Sequence, residues 1–204
     1  MTARRARLLK NNSCYHITTQ GSKDQKIFAD NDDYRFYLEL LKKYKYRFRI
    51  KIYGFCLMPR CVQLVLECER GEQLSTFMQT VNQCYTFYFN SRYGRYGKLW
   101  HGRFKSVALK EKRDVLICLK RIEWIEFLPV EARHTDLPQE YLWSSCHSRI
   151  AGDSSGFLDS ILTGSVFDLP STAISGSQVE RMDSAVLPAL SHGQGLYQAV
   201  PEGN

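Results

Sequence analysis

Residues 90 to 110 hold the densest chemistry in this sequence. Arg92, Arg95, Lys98, Arg103, Lys105 and Lys110 are interleaved there with Tyr93, Tyr96, Trp100, His101 and Phe104. Guanidinium and ammonium groups neutralise phosphates and aromatic faces stack on bases, so this alternation suits a polyanion that carries planar bases. Gly94, Gly97 and Gly102 let the backbone approach a phosphate closely. Arg103, following Gly102 on a predicted strand, is placed to reach a base edge, and Trp100 is the candidate stacking ring. The competing expectation is a Gly-rich loop that sends Trp100 and Phe104 into the core. Two further basic sets flank this stretch. The arm Arg4-Arg5-Ala6-Arg7, with Lys10, suits a groove or a phosphate backbone, and Lys23 and Lys26 follow the first predicted strand. The run Lys42 to Arg47 reads instead as a solvated helix end that complements the helix dipole.

Other reactive groups are sparse in pattern. The seven cysteines are odd in number and form no CxxC pair, which points to reduced, buried thiols rather than a zinc or redox site. His101, His134 and His147 lack the i, i+2 or i, i+4 spacing of a ligand set and read as surface or DNA-facing residues. Tyr85 and Tyr88 fall on the apolar stripe of a predicted helix and read as core.

The charge is divided along the chain. Residues 1 to 150 carry 27 Lys and Arg against 15 Asp and Glu, and residues 151 to 204 carry 1 against 6. A basic body with aromatics among its cations fits nucleic acid; a solubilising surface is the bland alternative. An acidic tail on such a body can mask its binding face by a screened contact. No apolar stretch is long enough to cross a bilayer, and the basic N-terminus lacks the apolar core of a secretory signal, so the expected location is cytoplasmic and nucleoid-associated.

These side chains need elements to position them. Cys14 to Thr19 alternates as a strand, and residues 30 to 33 supply cap residues for a helix reaching about Lys45. Arg47 to Leu57 and Cys61 to Cys68 read as a hairpin turning at Met58-Pro59-Arg60. Leu74 to Tyr93 keeps a helical period, Leu99 to Leu109 alternates, and Asp114 to Phe127 is helical again, with Pro129 predicted to stop it. Strand, helix, two strands, helix, strand, helix fits an α+β, ferredoxin-like sandwich with a mainly antiparallel sheet. The expected division is a DNA-binding domain over 1–150 and an acidic Gly/Ser-rich tail over 151–204, with short helices near 157–162 and 178–190.

The segments YHITTQG (15–21), YGFCLMP (53–59), NQCYTFYFNSRYGRYGKLWHGRFKS (82–106), IEWIEFLPVEA (122–132) and WSS (143–145) carry a resemblance over about residues 5–148. In order and spacing they resemble the REP-associated tyrosine transposases, a branch of the HUH single-strand transposases. The resemblance implies the fold just described and two catalytic elements. The first is a His pair on the strand after the Met-Pro turn, whose imidazoles hold a divalent metal on one face. Here those positions are Cys61 and Gln63. The second is a helical tyrosine nucleophile with an Asn four residues later, and those positions are Trp124 and Leu128. Cys and Gln are poor ligands for Mg or Mn, and an indole has no oxygen to attack with. The chain is therefore expected to have no catalytic residue, no metal and no cofactor, and to bind DNA, a palindromic or hairpin site, as a repurposed transcriptional regulator. A homodimer is compatible with this reading. The rivals are a working single-strand nuclease or transposase with an unconventional site, and a protein-interaction module.

Overall fold

The computed structural model describes residues 9–109, 115–152 and 156–161 of the chain. The arm residues Arg4, Arg5 and Arg7, Lys110, and the expected helix at 178–190 lie outside the described residues. Four antiparallel strands, β1 (Ser13–Gln20), β2 (Ile50–Met58), β3 (Cys61–Cys68) and β4 (Lys105–Leu109), form one sheet in the order β2-β3-β1-β4. The long helices are α1 (Asn31–Arg47), α2 (Gly71–Arg92) and α3 (Val115–Glu131), followed by the short α4 (Ser145–Ile150). This is the expected α+β order.

Period-two alternation divides the strands between two cores. Tyr15, Ile17, Val62, Leu64 and Leu66 face α1 and α2, where Tyr37, Leu41, Phe77, Val81 and Tyr85 are fully buried. Cys61, Val65 and Leu109 face the other way, onto Cys118, Ile122 and Ile125 of α3. Gly54, beside a bulge between Ile52 and Gly54, lets α3 close on β2, since a Cβ there would sit 3.0 Å from two carbons of Ile122.

Local chemistry sets the ends of the helices. Asp30 Oδ1 accepts from the amides of Asp32 and Asp33, while Asp33 Oδ2 accepts from Asp30 N at 3.3 Å, a reciprocal cap that starts α1. Pro129 does not stop α3, which runs on to Glu131. Its ring removes one donor but leaves the later carbonyl bonds possible: Arg133, at φ 57°, donates to Val130 O and His134 to Pro129 O, a left-handed cap that closes the helix.

The fold extends past residue 150. Phe157 is buried in the main core, Asp159 N donates to Ile52 O at 2.8 Å, and the compact unit ends at Ile161. The described residues near 157 form no helix. This strap corrects the reading of Lys45 as solvated. The Lys45 side chain is only 3% exposed and reaches Phe157 O at 2.6 Å and Asp159 Oδ2 at 2.7 Å. The strap and residues 141–145 together cover the outer edge of β2: Leu57 N donates to Trp143 O, Phe55 N to Ser145 Oγ, and Ile52 N to Asp159 Oδ2. An edge strand's open backbone groups are thereby satisfied internally.

Candidate nucleic-acid interface

Three loops meet at one end of the sheet. Gly21 N donates to Arg60 O, Ser22 N to Leu99 O, His101 N to Gln20 O and Ile27 N to Pro59 O, so the loop after β1, the β2–β3 turn and the segment entering β4 are tied by backbone bonds. Gly21 is required there, because a Cβ would stand 2.3 Å from Gln25 O. The knot gathers charges that are distant in sequence: Lys23, Lys26, Arg60, Lys98, His101 and Arg103 are all exposed on these loops. By sequence Arg60 is a turn residue, and its placement among these cations follows from the knot rather than from any local pattern.

The densest stretch is rearranged relative to expectation. Arg103 precedes the strand, in a bend after Gly102 at φ 72°, because β4 begins only at Lys105. Trp100 is half-buried: its Nε1 donates to Asn82 O at 3.1 Å and its ring lies 5.9 Å from Tyr85, drawn inward beside the fully buried Leu99. The open aromatics are Tyr96, 96% exposed, and Phe87, 77% exposed. Arg92 is held by carboxylates, Asp30 at 2.6 Å and Asp33 at 3.0 Å, and lies over the rings of Tyr88 and Tyr93. It braces α2 against the start of α1. Arg95 lies over Phe89 and donates to Gln25 Oε1 at 2.7 Å. Tyr88 is only partly buried, stacked on Phe36 at 3.9 Å.

The positions that the resemblance marked lie at this same end of the sheet, where Cys61 pairs with Gln20 beside the knot. Register places Lys105, Thr18, Gln63 and Cys56 in one row, and Val107, His16, Val65 and Gly54 in the next, on the face toward α3. Gln63 Oε1 accepts from His16 Nε2 and from Thr18 Oγ1, both at 2.8 Å. A carboxamide oxygen cannot donate, so His16 carries its proton on Nε2. Trp124 meets the His16 ring edge-on at 5.7 Å, and Arg121 lies 5.1 Å over the indole. Burial pushes the His16 imidazole down to about 4, the Arg121 charge adds to this, and the bond to Gln63 opposes it. His16 is therefore neutral at pH 7. Leu128 packs with the apolar side of α3. Cys61, Gln63 and Trp124 thus form one cluster with His16, Thr18 and Arg121, three residues that no motif marks. The alternation of His16 and Thr18 against Tyr15 and Ile17 was the signal that could have placed them on this face.

This donor set does not suit a hard divalent ion such as Mg or Mn. The Gln63 oxygen is already committed to two donors, and Cys61 offers a buried thiol, only 2% exposed, where a hard cation needs oxygen ligands.

A cleft of about 1000 Å³ opens between the outer side of α2 and the segment 94–104. Thr86, Phe87, Asn90, Tyr96, Trp100 and Arg103 are among its lining residues.

No helix among the described residues is long and apolar enough to cross a membrane. Among curated proteins no sequence matches significantly. The structure is similar to that of a REP-associated tyrosine transposase bound to a REP hairpin, with a TM-score of 0.58 and 16% identity over 85% of this chain and all of the other. A candidate transposase of Deinococcus radiodurans is similar at a TM-score of 0.40 and 15% identity, over 60% of this chain and 98% of the other. The model of the family described as "Transposase IS200 like" matches residues 10–121. That match covers more than half of the sequence, and the chain belongs to the IS200-like transposase family.

Proposed function

We propose that this chain binds folded DNA, a hairpin or imperfect palindrome, without cutting it, and acts as a transcriptional regulator that has kept a transposase fold. The observation that carries the reading is the filled cluster on the α3 face. At the positions where the family would hold a metal, Gln63 is hydrogen-bonded to His16 and Thr18, and at the nucleophile position Trp124 packs against His16. The tyrosine chemistry needs a phenolate and a free metal ligand, whereas Trp124 has no hydroxyl and the Gln63 oxygen is taken by two donors. Binding rests on other residues. Lys23, Lys26, Arg60, Lys98, Arg103 and Lys105 offer exposed cations at one end of the sheet, with Lys105 in the same row as Gln63. The neighbouring fold, bound to a REP hairpin, supports a hairpin as the first ligand to try.

The test is purified full-length protein with labelled hairpin and scrambled linear DNA, in Mg or Mn and in chelator. The expected result is salt-dependent binding of the hairpin, equal in metal and chelator, with no cleaved strand and no covalent adduct. A metal-dependent cut or adduct overturns the non-catalytic reading, and failure to retain any DNA at low salt overturns the binding reading.

A further inference from the structure

The cleft beside α2 has the features of a site for one unstacked nucleotide. Tyr96 and Phe87 both line it and are the most exposed large aromatics among the described residues, at 96% and 77%. Neither ring covers core, so neither is explained by packing, and two open rings beside one cleft offer π-faces to a planar ligand. Arg103, exposed and also in the lining, supplies a cation for a phosphate next to that ligand.

The wall carries a second, independent observation. Asn90 Nδ2 donates to Gly97 O at 3.0 Å, which orients the amide and leaves Oδ1 as an acceptor that is shielded from water and has no partner. Arg95 Nη2 is engaged by Gln25 Oε1, and its Nη1 is likewise shielded and without a partner. Buried polar atoms are almost always paired, so an unpaired donor and an unpaired acceptor in one lining are an anomaly. Every nucleobase presents a donor beside an acceptor on its pairing edge, the complement of this pair. Reaching these atoms requires the 94–97 turn to open, which breaks the bond from Asn90 to Gly97. Gly94 and Gly97, at φ of 59° and 91°, put this turn at the surface, since a Cβ at either would meet nothing within 4 Å.

We infer that this cleft binds a single unstacked nucleotide, its base between Tyr96 and Phe87 and against the Asn90 and Arg95 wall, its phosphate on Arg103. The nucleotide is either free or an unpaired residue of the DNA; only the second source rests on the function proposed above.

The experiment titrates the full chain with each of the four deoxynucleoside monophosphates, followed by calorimetry or ligand-observed NMR, with deoxyribose 5-phosphate as the base-free control. A parallel arm measures affinity for hairpin DNA in which loop nucleotides are made abasic one at a time. Both arms are repeated with Tyr96→Ala/Phe87→Ala, whose rings lie outside the core. Binding of a mononucleotide that the double substitution weakens at least tenfold, and that the base-free control does not share, supports a free-nucleotide site. An abasic position that costs the wild type at least tenfold and the double variant nothing supports a DNA-borne nucleotide. If no mononucleotide binds in a ring-dependent way and no abasic position matters, the inference is overturned, and affinity for the intact hairpin then reports separately on DNA binding.

Discussion

The buried His16 makes a sharp prediction about acid. A base whose folded pKa is depressed stays neutral in the native protein while the unfolded chain takes up a proton. Stability is therefore fully present above the unfolded value near 6.5 and falls as pH drops toward the folded value of about 4. At pH 4.5 the native imidazole remains mostly neutral and the unfolded one is almost wholly charged, which costs about 2.5 kcal/mol relative to pH 7, from 1.36 kcal/mol per pKa unit. Carboxylates and other histidines also titrate in this window, so the wild type must be compared with His16→Gln, which removes only this titration. In urea unfolding followed by circular dichroism, with a slope of about 2 kcal/mol per molar, the wild-type midpoint should fall about 1.2 M further between pH 7 and 4.5 than that of the variant. Midpoints that fall in parallel would refute the reasoning, because they would mean that His16 is accessible to protons in the native state and that the Gln63 cluster is open.

The remaining expectations concern the cations and the strap. Lys105→Ala and Arg103→Ala should each lower the salt slope of DNA binding by about one unit, read from affinity at several salt concentrations. Arg103→Ala should also relax discrimination among loop sequences if it reaches a base. Arg92→Ala should leave that slope unchanged and lower the melting temperature, since its partners are Asp30 and Asp33, the latter fully buried. Lys45→Met, which leaves Asp159 without its buried cation, should destabilise the domain by about 3 kcal/mol in chemical denaturation and expose the bond after Phe157 to chymotrypsin.

The hydrophobic period gave the order of strands and helices, because burying one face of each element leaves a mark every second or every third to fourth residue. Features that depended on long-range pairing left no such mark. Lys45 looked solvated because its neighbours Lys42, Lys43 and Arg47 are exposed, and its partners Phe157 and Asp159 lie more than a hundred residues away. Trp100 read equally well as stacking ring or core, since the choice was made by Leu99 entering the core and by the bridge from Gly21 to Trp100. Pro129 seemed a stop because a proline removes a donor, but its own carbonyl still accepts from His134. At the cluster, Cys61 and Gln63 could be placed on one face by counting in twos. Alternation likewise puts His16 and Thr18 on one face of β1, but that they meet Gln63 required the register of β1 on β3, which a single sequence does not display.

The cluster and the exposed cations are carried by different parts of the fold. The cluster around Gln63 stands on the α3 face, packed by Trp124, whereas the cleft and most exposed cations sit on loops and on α2, whose apolar side belongs to the opposite core. The two share few side chains, and energetic effects at separated sites without shared partners are close to additive. Within the cluster the reverse holds. His16 is buried and neutral, so it needs an acceptor, and Gln63 supplies one while also taking the Thr18 hydroxyl. Replacing Gln63 by His would leave those two donors competing for a single ring nitrogen, and Trp124 would still pack against the His16 ring. The positions therefore change together or at a cost to one another. A polar set that is fully satisfied in this way holds the sheet and α3 in place, so the substituted residues have a structural role where they stand.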